Sequence, residues 1–170
     1  MKLLILGMKQ SGKDTAAEYL NNRVGLKFMS SSLFFMRLPI CKDLIKNKGY
    51  SSPEELFENR GKHRSELFDI ICKYNEDSPI RLASEIFKQN DMYVGMRNKK
   101  EVEACKTRWP ELLVIWIDAG SRGDLEDSSS CDIEKSQSHI IIDNSTTEID
   151  FENRLEKLCG LLEYCNGDFK

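Results

Sequence analysis

The apolar positions of this chain fall into five short runs separated by longer polar stretches of helical character: Leu3–Leu6, Leu26–Met29, Met92–Met96, Leu112–Ile117 and His139–Ile142. Runs this short suit buried strands better than helices. Between them, Lys13–Leu20 carries good helix formers. Ser30, Ser31 and Ser32 can cap a short helix holding Leu33, Phe34, Met36 and Arg37 before Pro39 interrupts it. Ser52-Pro53-Glu54-Glu55 joins a serine cap, a first-position proline and a glutamate three residues after the cap. That signal predicts a helix to about Tyr74, weakened at Gly61. Ser78-Pro79 repeats the signal for a helix through Phe87, Asn98–Arg108 suits another, and Asp150–Tyr164 suits a closing one. Strands alternating with helices predict an α/β fold in three layers, a central parallel sheet of about five strands with helices on both faces. No repeat or low-complexity linker divides the chain, so 1–170 reads as one domain.

Composition narrows the function classes. Hydrophobic content of 40% and charged content of 31% are ordinary for a globular protein. A net charge of −3 does not advertise nucleic-acid binding. No apolar run approaches the roughly 18 residues of a membrane span, and the Met1 end enters a core strand instead of a signal peptide. The expectation is a cytoplasmic protein without membrane association, monomeric or homodimeric. Six cysteines without a C-x-x-C pair, beside only two histidines, form no zinc constellation and fit thiols in a reducing compartment.

The chemistry is concentrated near the amino terminus. Gly7-Met8-Lys9-Gln10-Ser11-Gly12-Lys13 has the spacing with which a chain wraps backbone N–H groups around phosphates. Lys13 would place a positive charge on the β/γ-phosphates, and the helix after it would present its positive end to the same anion. Asp14 follows the lysine, where related loops carry a magnesium-binding hydroxyl, and the hydroxyl comes one residue later at Thr15. Asp14 and Thr15 are therefore candidate magnesium contacts, direct or through water. Asp14 reads equally as an acid in a helix's first turn.

Topology predicts that the strand ends converge, and ligands of such sheets sit beyond the carboxyl ends. This brings Arg97, Arg122 and Asn144 to the edge that holds Gly7–Lys13. Arg97 opens a helix, where a cation is not favoured by the helix dipole, which points to a ligand. Arg122 lies in the polar segment 120–137, a candidate lid. Arg37, and the spacing of Arg60, His63 and Arg64 on one helical face, suggest an acceptor surface within helices of about 31–88. A solvated face paired with Glu58 or Glu66 accounts for the same spacing. Glu101 either touches substrate or completes a capping box with Asn98. Asp118, at the end of an apolar strand, is a weak candidate for holding magnesium through water, and Trp109 and Trp116 read as core aromatics.

The loop from Gly7 to Thr15, ending Gly-Lys-Asp-Thr, resembles that of bacteriophage deoxynucleoside monophosphate kinases. More broadly, the chain is similar to the P-loop nucleoside monophosphate kinase group, which includes dephospho-coenzyme A kinases. Val94-Gly95-Met96-Arg97 with Glu101 resembles that group's substrate-side strand end, with Val94 where relatives carry aspartate. Ile140–Asn144 resembles the final strand, whose exit loop lies near adenine. The resemblance implies ATP and Mg2+ bound by Gly7–Thr15 and Asn144, catalysis by Lys13, Arg97 and Arg122, and acceptor contacts from Arg37, Arg64, Arg97 and Glu101. It implies an ATP-dependent phosphotransferase acting on a deoxynucleoside monophosphate, in the host cytoplasm if phage-encoded. Two further readings stand beside it. One is a kinase of 5-hydroxymethylpyrimidine in phage DNA or of dephospho-coenzyme A. The other is an ATP-binding regulatory protein without transfer activity.

Overall fold

The computed structural model describes residues 1–122 and 131–167, the side chains of Arg122 and Asn166 excepted. Five strands, β1 (Leu3–Leu6), β2 (Phe28–Ser30), β3 (Met92–Val94), β4 (Leu113–Asp118) and β5 (Ile140–Asp143), form one sheet in the order β2-β3-β1-β4-β5. Every pairing is parallel, with Leu4 opposite Tyr93 on one side and Val114 on the other. The three-layer α/β expectation therefore holds, each strand within two residues of its apolar run.

Because successive side chains of a strand point to opposite faces, the sheet builds two cores. Leu4 and Leu6 join Tyr93, Val114 and Trp116 on one face. Leu3 and Ile5 join Met92, Val94, Ile115 and Ile117 on the other. The second face is covered by α1 (Lys13–Val24) and α8 (Glu148–Asn166), which contribute Ala16, Ala17, Leu20, Phe151 and Leu155. The first carries α2 (Ser31–Met36), α3 (Lys42–Asn47), α4 (Pro53–Glu58), α5 (Arg64–Tyr74), α6 (Arg81–Ile86) and α7 (Lys99–Arg108). Trp109 and Trp116 are buried, as read from the sequence.

Three local expectations change. The helix opened at Ser52 keeps its cap, with Ser52 Oγ accepting from Glu55 N at 3.1 Å, but stops at Glu58. A 3-10 turn over Arg60–His63 separates it from α5, and the different pitch of that turn breaks the face that Arg60, His63 and Arg64 were expected to share. Ser78-Pro79 makes a turn, and α6 begins at Arg81. The closing helix starts at Glu148, because Thr147 and Asp150 form a reciprocal capping box.

The segment 120–137 is only partly open to a lid role. Gly120–Arg122 is a 3-10 turn held by Gly120 N donating to Asp118 Oδ1 at 3.1 Å. Cys131 and Ile133 are buried in the first core, and Gln137 is buried with its Nε2 on Glu103 Oε1 at 3.0 Å. Residues 131–137 thus dock onto α7, and the lid expectation narrows to 123–130, which lie outside the described residues.

Candidate active site

The phosphate loop leaves β1 at the sheet's switch point, between the ends of β3 and β4, where ligands of open parallel sheets collect. Its backbone takes positive φ at Gly7 (145°), Gln10 (58°) and Gly12 (94°). A Cβ on Gly7 would sit 2.4 Å from the Ile117 carbonyl oxygen, and one on Gly12 would sit 2.5 Å from Asn144 Nδ2. Both glycines are therefore required by space as well as by conformation. α1 starts on Gly12, which supplies no capping side chain, so the first-turn N–H groups of Asp14 and Thr15 are available to an anion. The Lys13 ammonium curls back over the loop, donating to the Met8 carbonyl and, at 3.4 Å, to Ser11 Oγ. Phosphate oxygens would replace those acceptors. A glycine loop under an arched lysine and an uncapped helix start fits a polyphosphate tail.

Asn144, expected near adenine, braces the loop. Its Nδ2 donates to Ser11 O at 2.9 Å, while its backbone N donates to Asp118 O at 2.6 Å. Thus the β5 exit holds the outer wall of the phosphate loop. Asp118 is paired with Lys135 across the same edge. Thr15 is exposed on α1, and Asp14 forms a 3.5 Å pair with Arg60.

Beyond the loop a cleft opens in two continuous parts that share Ser31, Ser32, Arg60, Arg64, Gly95 and Arg97. The mouth beside the loop gathers five basic side chains, Lys9, Lys13, Arg60, Arg64 and Arg97. Asp14 is the one carboxylate facing them among the described residues. The deeper part runs along α5, where Arg64, Leu67, Phe68, Ile71 and Cys72 follow helical spacing down one face, and ends at Glu101. Ser31 ties the two walls together by donating its Oγ to Gly95 O at 3.1 Å. Arg60 is held by Phe57, with its guanidinium 3.8 Å from the ring centroid and Nη1 on the Phe57 carbonyl at 3.0 Å.

The structure brings Lys13, Arg60, Arg64, Arg97 and Glu101 to one cleft. Arg37 falls outside: it lies on another surface, paired with Glu54 at 3.0 Å. His63 also turns away, sharing a hydrogen bond with Tyr50 Oη at 3.0 Å, and Glu66 pairs with Lys48 at 2.6 Å. The side chain of Arg122 is outside the described residues. Glu101 departs from the capping-box reading. Asn98 Oδ1 accepts from Lys100 N and Glu101 N at 2.9 and 3.4 Å, but the Glu101 carboxyl lies buried against the cleft. Burial pushes that carboxyl up to about 7 from its ordinary 4.5, with the Asn75 amide opposing the rise and Asp132 adding to it.

The chain matches no protein-family model and no curated protein by sequence. In structure it is similar to two shikimate kinases. For that of Bacteroides thetaiotaomicron the TM-score is 0.54 at 12% identity, over 96% of this chain and 98% of that one. For that of Aquifex aeolicus it is 0.52 at 14% identity, over 98% of both chains. Likeness at this identity establishes the fold alone, a parallel five-stranded sheet between two layers of helices.

Proposed function

We propose that the protein is an ATP-dependent kinase that transfers the γ-phosphoryl group to a monophosphate, a deoxynucleoside monophosphate foremost. The observation that carries this reading is the cleft mouth, where Arg60, Arg64 and Arg97 face the phosphate loop and Asp14 is the one carboxylate lining that mouth among the described residues. A hydroxyl acceptor must lose a proton, so its kinase needs a positioned base. Asp14 is a poor base for that purpose because it is engaged by Arg60, and Glu101, the other carboxyl of the cleft, lines only its deeper part and not the mouth beside the phosphate loop. A phosphate monoester is already ionised near neutral pH and needs only positive charge to approach a second phosphate.

In the proposed step an oxygen of the acceptor phosphate attacks the γ-phosphorus in line. The bond from that phosphorus to the β–γ bridging oxygen breaks, and the products are ADP and a diphosphate. ATP with magnesium supplies the phosphoryl group and screens its charge. Asp14 and Thr15 would stand near the magnesium, directly or through its waters, and the ion would screen the charge of the transferring group. Gly7–Gly12 holds the phosphates through the backbone, and Lys13 moves from Met8 O to the oxygens of the transferring group. Arg64 and Arg97 hold the acceptor phosphate, and Arg122 remains a proposed further contact.

The test is transfer from labelled ATP to a panel of deoxynucleoside monophosphates, dephospho-coenzyme A, shikimate and DNA containing hydroxymethyluracil. Label is expected on the monophosphates, and Arg97→Ala is expected to lower kcat/KM about 100-fold while ATP affinity stays unchanged. ATP binding with no labelled acceptor would instead support a regulatory ATP-binding protein. Label on DNA alone, suppressed by salt, would move the acceptor to the polymer.

A further inference from the structure

Glu101 is a buried acid with no evident structural duty. It is 4% exposed, although helix α7 is already capped by Asn98 without its carboxyl. An apolar residue would fill the site at lower energetic cost, since a buried carboxyl is stable only when something compensates it. The groups facing it are the Asn75 amide after α5, the Cys72 thiol on α5, the Asp132 carboxylate, the Tyr93 phenol on β3 and the Cys105 thiol on its own helix. Arg60, Arg64 and Arg97 line both parts of the cleft, and no ion pair joins any of them to Glu101 among the described residues. Asn75 is itself fixed, its Oδ1 accepting from Leu82 N at 3.0 Å. That leaves its buried Nδ2 on the Glu101 side without a completed hydrogen bond among the described residues. The walls beside the carboxyl are apolar: Leu67, Phe68, Ile71 and Met96.

An apolar slot with phosphate-binding arginines at its mouth and one carboxyl at its floor suits a flat heterocycle that carries N–H donors on its far edge. We infer that Glu101 reads the base of the acceptor: its two carboxylate oxygens accept the adjacent N1–H and N2–H donors of guanine, selecting a guanine monophosphate over a thymine one. This rests on the nucleotide-acceptor reading above. Thymine sets a single N–H between two carbonyl oxygens, which a carboxylate repels, whereas guanine aligns two donors. Mispairing there leaves a buried polar group unsatisfied, the situation in which a site rejects an analogue strongly. The ionised carboxylate is the form that accepts both donors. With the acid titrating near 7 in the ligand-free protein, guanine binding at neutral pH draws a proton off it.

The experiment compares wild type with Glu101→Gln and Glu101→Asp, using dGMP and dTMP as acceptors at pH 6 and pH 8, with calorimetry of dGMP binding in two buffers of different ionisation enthalpy. Wild type is expected to favour dGMP about tenfold or more at pH 8, less at pH 6, and to release protons on binding dGMP at pH 7. The amide of Glu101→Gln offers one acceptor and one donor, matching thymine. It is expected to reduce the dGMP/dTMP ratio at least about tenfold, through weaker dGMP and stronger dTMP turnover, and to abolish the proton release, with its circular dichroism and its affinity for ATP checking that the variant is folded. Glu101→Asp retains the carboxylate and is expected to keep the wild-type order of preference. A wild-type preference for dTMP overturns the inference while the kinase reading survives, as does a ratio that Glu101→Gln leaves within about threefold. If neither monophosphate is phosphorylated although ATP binds, the acceptor reading falls and this inference falls with it.

Discussion

The two ends of the cleft are built in opposite ways. At the donor end, the residues that would hold phosphates are contiguous, Gly7 to Thr15, and act through backbone conformation, a helix terminus and one lysine. At the acceptor end, the lining comes from α2, the Arg60–His63 turn, α5, the β3 exit and α7, and it acts through side chains. Backbone N–H groups recognise a phosphate whatever it is attached to, so a local loop suffices. Choosing among acceptors requires side chains to converge from distant parts of the chain. The donor end therefore reports the chemistry, and the acceptor end reports the substrate.

Removing the Lys13 ammonium tests the donor end most severely. Lys13→Ala is expected to lower phosphoryl transfer by about 10³-fold, measured with labelled ATP at saturating acceptor, while its circular dichroism and melting temperature stay near wild type. Retention of most activity in the folded variant would mean that the loop is not where transfer occurs.

An intermediate effect is expected at the acceptor end, in stability. The folded-state pKa of Glu101 is raised from 4.5 to about 7, so the native state holds the proton more tightly than the unfolded chain. The contribution of this group is most favourable below about pH 4.5 and is lost as pH rises through 7. Glu101→Gln removes that dependence. It is expected to be more stable than wild type at pH 8 by up to about 3 kcal/mol, with the difference shrinking towards pH 4. Calorimetric melting across that range checks it, and a constant difference would mean that the carboxyl is not desolvated.

The smallest effect marks the boundary of the acceptor end. Arg37 and Glu54 form an exposed pair, with side chains 48% and 54% accessible, of the kind that contributes less than about 1 kcal/mol. Arg37→Ala is expected to leave acceptor KM within about twofold of wild type. A large rise in KM would extend the acceptor site to the end of α2.

Legibility in the sequence follows the same division. The phosphate loop could be read because its geometry depends on residues a few positions apart, and the five strands because burial on both faces leaves uninterrupted apolar runs. The Arg60–Arg64 cluster was misread at one point only. Continuous helical spacing put His63 beside the two arginines, but the 3-10 turn sends it to Tyr50. The clue was Gly61, noted as a weak point and not as a break. Glu101 shows a harder limit. Its Asn98-x-x-Glu101 spacing is that of a capping box, and only the packing of α5 and the segment 131–133 against α7 turns its carboxyl into a buried group.

By itself, then, the sequence determined the succession of strands and helices, the glycine turn from Gly7 to Gly12 and the position of Lys13 at the start of the helix after it, since each follows from steric and periodic rules acting over a few residues. Tertiary structure alone decided that Asn144 braces the loop through Ser11, that Arg37 stays outside the cleft that Arg60, Arg64 and Arg97 share, and that Glu101 forms the cleft floor. Those outcomes depend on how elements far apart in the chain pack across the sheet, and on which polar groups lose water when they do.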